Sequence, residues 1–195
     1  LQSAETDYKQ KLDEEQMRVF KEGVFEGGVR MMRMRPLSET LVADCSAFLF
    51  ATELGQRYYP LRKLLDDAVA KACQRDAVYL AYEGQRLVGV LWYVEEGSFY
   101  TYPYLHMIVV DESCRGKGYG RQMLAYMEER LLEKRVTSKI YLVVTESNQV
   151  AQKLYAGVGY QKVGRLENLY RKGVHELLME KFLSKMTKIG QRDAS

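Results

Sequence analysis

Three glycines at alternate positions, Gly116, Gly118 and Gly120, stand between an apolar run and a helical pattern. The run Ile108-Val109-Val110 stops at Asp111. Glu112-Ser113-Cys114 follows, and Arg115, Lys117 and Arg121 are interleaved with the glycines. Beyond them Met123, Leu124, Met127 and Leu131 recur on one helical face. The stretch reads as strand, glycine loop and helix N-terminus. The first amides of a helix lack intrahelical partners and lie at the positive end of its dipole. Glycine removes the Cβ atoms that would hold a ligand away from them, so a phosphate or pyrophosphate site is one reading. A tight strand-to-helix turn without a ligand is the other. Spacing excludes two known phosphate loops. The dinucleotide fingerprint needs G-x-G-x-x-G after a first strand, and the nucleoside-triphosphate loop needs Ser or Thr after Gly-Lys. Here the spacing is G-x-G-x-G, and Gly118 follows Gly116-Lys117.

The rest of the chain supplies a sheet around this loop. Val29 to Arg35 alternates Val/Met with Arg, a strand pattern ended by Pro36. Helices are expected over 40–52, capped by Ser38, and over 61–73, with a Gly55–Pro60 break between them. Ala77–Tyr82 and Leu87–Val94 read as a hairpin. A turn at Glu95–Ser98 and a long run, Phe99–Val110, follow. The helix after the loop is expected from Gly118 to about Lys134, then a strand at Lys139–Thr145 and a helix from Asn148. Closing strands are expected at Tyr160–Gly164 and Glu176–Phe182. The order β-α-α-β-β-β-α-β-α-β-β indicates an α/β fold with a mixed, mostly antiparallel central sheet flanked by helices.

A second block, Asn148-Gln149-Val150-Ala151-Gln152-Lys153-Leu154-Tyr155-Ala156-Gly157-Val158-Gly159-Tyr160, lies one helix and one strand beyond the loop. It resembles the N-x-x-A-x-x-L-Y-x-x-x-G-F pattern of the GNAT superfamily of N-acetyltransferases, with Tyr for the final Phe. Arg115-Gly116-Lys117-Gly118-Tyr119-Gly120 resembles that family's Arg/Gln-x-x-Gly-x-Gly/Ala loop. The resemblance spans about residues 29–183. It implies an N-terminal extension at 1–28, an acetyltransferase domain at 29–183 and a polar tail at 184–195. It also implies that acetyl-CoA is the acetyl donor and that a primary amine is the acceptor. By resemblance the coenzyme pyrophosphate meets Arg115, Gly116, Lys117, Gly118, Tyr119, Gly120 and Arg121. The resemblance also implies that the backbone of Ile108, Val109 and Val110, beside a β-bulge, faces the acetyl group and that Asn148 belongs to the coenzyme site.

The chemistry needs an acid and a base. Amine attack on a thioester forms a tetrahedral intermediate from which thiolate leaves. A phenol is protonated at neutral pH and can donate to that sulfur, the role the resemblance gives Tyr155. A core aromatic is the other reading of Tyr155, and Tyr160 suits that better. His106 is the base candidate, with Tyr104, His106 and Ile108 expected on one strand face. In serotonin N-acetyltransferase, a family member, two histidines fall at His106 and Tyr104 when counted from Arg115. Histone acetyltransferases have Glu where Tyr104 stands, and ribosomal-protein acetyltransferases have Glu where Val143 stands. A satisfied core histidine is the alternative for His106. Glu95 and Glu96 are second choices for the base, and His175 is expected on the surface. Tyr59 and Tyr104 are acceptor candidates, with Tyr58, Tyr100 and Tyr102 completing an aromatic wall if they point inward. Exposed tyrosines are the other possibility. Cys114 lies too near the pyrophosphate loop to act as an acetyl-carrying nucleophile.

Composition narrows the classes. The net charge of +3 and the short Arg30/Arg33/Arg35 alternation do not argue for nucleic acid. Cys45, Cys73 and Cys114 form no CxxC pair, so neither a disulfide framework nor a metal site is expected. No apolar run approaches the ~20 residues of a membrane span. Leu1-Gln2-Ser3-Ala4-Glu5 does not read as a signal peptide, and without an initiator Met a processed or truncated chain is expected. A cytoplasmic enzyme acting on a small-molecule or peptide/protein amine is the resulting expectation, with a homodimer possible by resemblance. The competing class is a non-catalytic acyl-CoA-binding or interaction module of the same fold.

Overall fold

Alternation of apolar residues with polar ones sets the strands, and 3.6-residue spacing sets the helices between them. The computed structural model describes residues 32–134 and 139–183. The expected extension 1–28, the start of the first strand at 29–31 and the tail 184–195 lie outside those residues. The strands are β1 (Arg33–Pro36), β2 (Ala77–Glu83), β3 (Arg86–Ser98), β4 (Tyr102–Val110), β5 (Lys139–Thr145), β6 (Gln161–Glu167) and β7 (His175–Phe182). The helices are α1 (Val42–Phe50), α2 (Glu53–Tyr58), α3 (Arg62–Arg75), α4 (Tyr119–Glu133) and α5 (Gln149–Ala156).

The seven strands form one sheet in the order β1-β2-β3-β4-β5-β7-β6. Every neighbouring pair is antiparallel except β4 and β5. One face buries Leu105, Leu142 and Val144 against Met123, Leu124 and Met127 of α4 and Tyr155 of α5. The other buries Val90, Trp92, Met107 and Val109 against Leu49 of α1 and Leu65 and Val69 of α3. Two apolar layers thus hold the sheet rigid from both sides.

The β4–β5 pairing is short. It covers Tyr104↔Tyr141 and Leu105↔Leu142, yet β4 runs on to Val110 and β5 to Thr145. From 106 onward the two strands part into a V, and among the described residues no strand pairs with that edge of β4. The glycine loop follows one arm and α5 follows the other, so both helix N-termini lie at the mouth. The carboxyl ends of strands beside a change in sheet topology are where open α/β sheets bind ligands.

Four expectations need correction. Ser38 does not cap α1: it precedes a 3-10 turn at Glu39–Leu41 and makes no side-chain capping bond, and α1 begins at Val42 after Leu41. Gly55–Pro60 is not simply a break, because Glu53–Tyr58 forms α2, with the Thr52 hydroxyl accepting from the Gly55 N–H at 3.1 Å. A Cβ at Gly55 would lie 1.9 Å from the Leu49 carbonyl oxygen, so the glycine serves close packing. The Glu95–Ser98 turn belongs to β3. The chain reverses at Phe99–Thr101, where Phe99 and Tyr100 have φ of 53° and 55°. Finally, Tyr104, His106 and Ile108 do not share a face. Trp92 pairs with Met107 and Tyr93 with Leu105, which leaves His106 as an extra residue, a β-bulge. Ile108 and Val110 therefore join the α4 face, while His106 meets Trp92 on the other.

Candidate active site

The loop leading into α4 is built by two glycines. Gly116 and Gly118 have φ of 77° and 82°, values that L side chains rarely adopt, and a Cβ at either would meet nothing within 4 Å. Gly118 caps α4 without any side-chain hydrogen bond. The amides of Gly116, Lys117, Gly118, Gly120 and Arg121 make no hydrogen bond among the described residues. Open space above unpartnered amides at the start of a 15-residue helix fits a pyrophosphate. Asp111 shapes the entry, accepting from the Ser113 N–H and from Arg86, each at 3.0 Å. The Ser113 hydroxyl also donates to Asp111 Oδ1, at 2.5 Å, and contributes most to holding this carboxyl below the usual range, with the Ser113 N–H and Arg86 adding to it.

Some residues of the motif do other work. Gly120 lies inside α4, and a Cβ there would stand 3.0 Å from Leu154 Cδ2, so this glycine lets α4 and α5 approach. Arg121 donates to the Gly157 carbonyl at 3.2 Å, closing the C-terminus of α5. Tyr119 buries its side chain in the core and leaves only its backbone to the loop. Asn148 caps α5, its Oδ1 accepting from the Ala151 N–H at 3.1 Å. Arg115 and Lys117 are exposed, Arg115 lying 3.4 Å from Glu112. Cys114 is sealed in the core.

Across the V, α5 brings Tyr155 to the cleft. The residue is only 7% exposed, and its ring lies 5.7 Å from that of Tyr160. Burial raises the pKa of both phenols. The Tyr160 hydroxyl is sealed without a partner, whereas the Tyr155 hydroxyl is not among the sealed polar atoms and has no hydrogen-bond partner among the described residues. A phenol held protonated with its O–H uncommitted is a proton donor in waiting.

The β-bulge turns His106 toward the far wall. Its ring centroid is 4.5 Å from that of Trp92 and 6.4 Å from that of Tyr104. Tyr59 Oη lies 3.5 Å from His106 Nε2, the outer limit of a hydrogen bond. His106 is exposed rather than a core histidine, yet partial loss of water around its charged form lowers its pKa, while Asp76 opposes that effect. A neutral imidazole is the form that accepts a proton. Glu95 is drawn to Lys134, beyond the end of α4. His175, expected on the surface, is instead the half-buried first residue of β7, its Nδ1 sealed and without a partner among the described residues.

The aromatic wall gathers differently from expectation. Tyr100 stands in the turn and is 96% exposed, and Tyr102 packs on Tyr141. Tyr104 instead approaches Tyr170 of the β6–β7 loop, hydroxyl to hydroxyl at 3.4 Å, and the Tyr170 ring meets Tyr58 edge-on at 6.0 Å. Burial raises the pKa of Tyr58, Tyr59 and Tyr104. Behind Tyr58 lies Glu176, 1% exposed. One of its oxygens accepts from Thr145 Oγ1 at 3.3 Å, and the other has no partner among the described residues. Tyr170, Trp92, Asp76 and Glu176 escaped sequence reasoning. Only Asp76 carried a local signal, an acid at a helix C-terminus against the dipole.

Comparison with known proteins places these features in a family. Residues 46–160 match the model of the acetyltransferase (GNAT) family. The chain is 34% identical over 113 residues to a spermine/spermidine N(1)-acetyltransferase of Bacillus subtilis, covering 50% of this chain and 72% of that protein. It is 35% identical over 92 residues to the N-alpha-acetyltransferase RimI of Mycobacterium tuberculosis, covering 47% and 56%. It spans 26% of the length of an uncharacterized protein of Mycobacterium leprae, at 34% identity over 97 residues and 47% of this chain. Thus it covers under two thirds of some of its curated relatives. The crystal structure of the ribosomal-protein-S18-alanine N-acetyltransferase from Escherichia coli superposes with a TM-score of 0.64 at 18% identity, over 83% of this chain and all of that one. That likeness establishes the fold.

Proposed function

This chain belongs to the acetyltransferase (GNAT) family, and on that basis we propose that it transfers the acetyl group of acetyl-CoA to a primary amine by direct attack in a ternary complex. Residues 29–183 form the acetyltransferase domain in this reading. The observation that carries it is the parting of β4 and β5 beyond Leu105↔Leu142, with open amides beyond one arm and Tyr155 beyond the other.

Acetyl-CoA supplies a thioester-activated acetyl group. The amides of 116–121 hold its pyrophosphate, with Arg115 and Lys117 adding charge. The edge of β4 at Ile108–Val110 offers N–H groups to the acetyl oxygen. His106 Nε2 takes the proton that the acceptor ammonium must lose. Tyr155 Oη holds a proton for the departing sulfur, and the burial that raises its pKa keeps that proton in place at neutral pH. The acceptor enters over Tyr59 and Tyr104. Relatives named for polyamine and protein N-terminal acetylation give two acceptor classes to test. A cleft walled by Tyr58, Tyr59, Tyr104 and Tyr170 with Glu176 behind it favours a cationic alkylamine, which aromatic faces attract.

The test is release of coenzyme A from acetyl-CoA with a panel of monoamines, polyamines and peptides with free N-termini. Amine-dependent release is expected, strongest for polyamines. Binding of acetyl-CoA with no release for any amine would favour the non-catalytic module.

A further inference from the structure

One carboxylate near the cleft has no part in the reading above. Asp76 ends α3, its N–H donating to the Ala72 carbonyl at 2.8 Å. A negative side chain at a helix C-terminus opposes the dipole, so its place there needs compensation. The Trp92 indole supplies it, Nε1–H donating to Asp76 Oδ2 at 2.8 Å. Trp92, on β3, is 4% exposed and packed beneath α1 and α3, so the bond is fixed. The same indole lies against the His106 ring. The charge of Asp76 bears on both His106 and Tyr59, favouring the protonated form of each.

We propose that Asp76 is a positioning residue for His106: through Trp92 it fixes the imidazole in the cleft, and through space it stabilises the imidazolium formed when the acceptor amine gives up its proton. This rests on the reading of His106 as the base. In that step an N–H bond of the acceptor ammonium breaks and an N–H bond forms at His106 Nε2. The positive charge moves onto the ring, and the lone pair stays on the acceptor nitrogen. A carboxylate on the other side of the indole lowers the energy of that charge through space. The groups facing the imidazole are Tyr59 after α2, Trp92 on β3, Tyr104 on its own strand and Asp76 after α3. Burial holds both tyrosines neutral, which leaves Asp76 as the charge among them.

Asp76→Asn tests this, because its amide oxygen still accepts the indole N–H while the charge is gone. The His106 ring is titrated by NMR, its signal assigned with His175→Gln, and the pH profile of kcat/KM is recorded beside it. In Asp76→Asn the ring should titrate lower by about half a unit to one unit. The acidic limb should move with it, and the plateau should fall several-fold as the base weakens. Trp92→Phe, which keeps the charge and loses the N–H, should broaden the ring signals with a smaller titration shift. It serves as the second variant if the first does not fold. An unchanged His106 titration in Asp76→Asn would overturn the inference. A shifted titration with an unmoved kinetic limb would support the Asp76–His106 coupling and remove His106 as the base.

Discussion

Gly118→Ala and Gly120→Ala should separate two jobs that one motif hides. At Gly118 the backbone is left-handed, with φ of 82°, and the new methyl would meet nothing within 4 Å. The strain is about 1–2 kcal/mol, partly offset by about 0.4–1 kcal/mol from the stiffer unfolded chain. A net loss of about 1 kcal/mol leaves the domain folded, with Tm lower by roughly 2–4 °C. The methyl would stand over amides assigned to the pyrophosphate. Losing one such charge-assisted bond costs about 1.5–3 kcal/mol, or roughly 10- to 150-fold in Kd. At Gly120 the helix interior gains about 0.8–1 kcal/mol from alanine. The new Cβ lies 3.0 Å from the flexible end of Leu154, so the gain and the crowding nearly cancel. Affinity for acetyl-CoA should then stay within about twofold, by calorimetry, with urea denaturation reporting stability. A folded Gly118→Ala with wild-type affinity would remove the pyrophosphate from this loop. A stable Gly120→Ala that lost affinity would refute its packing role.

Tyr155→Phe should lower kcat by about 10²- to 10⁴-fold in steady-state assays with little change in the acetyl-CoA KM, and it should leave stability nearly intact. The acidic limb of kcat/KM should lie below the ordinary imidazole value, since His106 works unprotonated and its pKa is lowered; His106→Ala should abolish that limb. The same depression means that the unfolded chain binds more protons across that window, so this group's contribution to stability rises with pH there. Glu176→Gln should change stability by less than about 1 kcal/mol in urea titrations, because its amide takes the place of an oxygen that already lacks a partner among the described residues.

What the sequence revealed and what it hid divide along physical lines. Alternation made β5 legible, since Ile140, Leu142 and Val144 point one way into the core. Spacing likewise revealed α4, its apolar face and the loop before it. The family resemblance implied a bulge on this strand, but that His106 is the extra residue was not legible, because it is set by register against β3, a relation between distant segments. That one residue moved Ile108 and Val110 to the opposite face. The reversal at Phe99 and Tyr100 uses left-handed residues that are not glycine, so no turn signal marks it. Arg121 and Asn148 matched a motif read as coenzyme-binding, yet their side chains cap helix ends. Tyr170, Trp92, Asp76 and Glu176 matter through partners remote in sequence, which only the fold brings together.

Each proposed residue role requires acetyl-CoA to lie in the V between β4 and β5. Amide hydrogen exchange with and without acetyl-CoA tests that directly. Slower exchange should be confined to Ile108–Val110 and to 116–121, with no comparable change in β1 or β2. Acetyl-CoA binding that left those amides unprotected, or that protected the far side of the sheet instead, would contradict it.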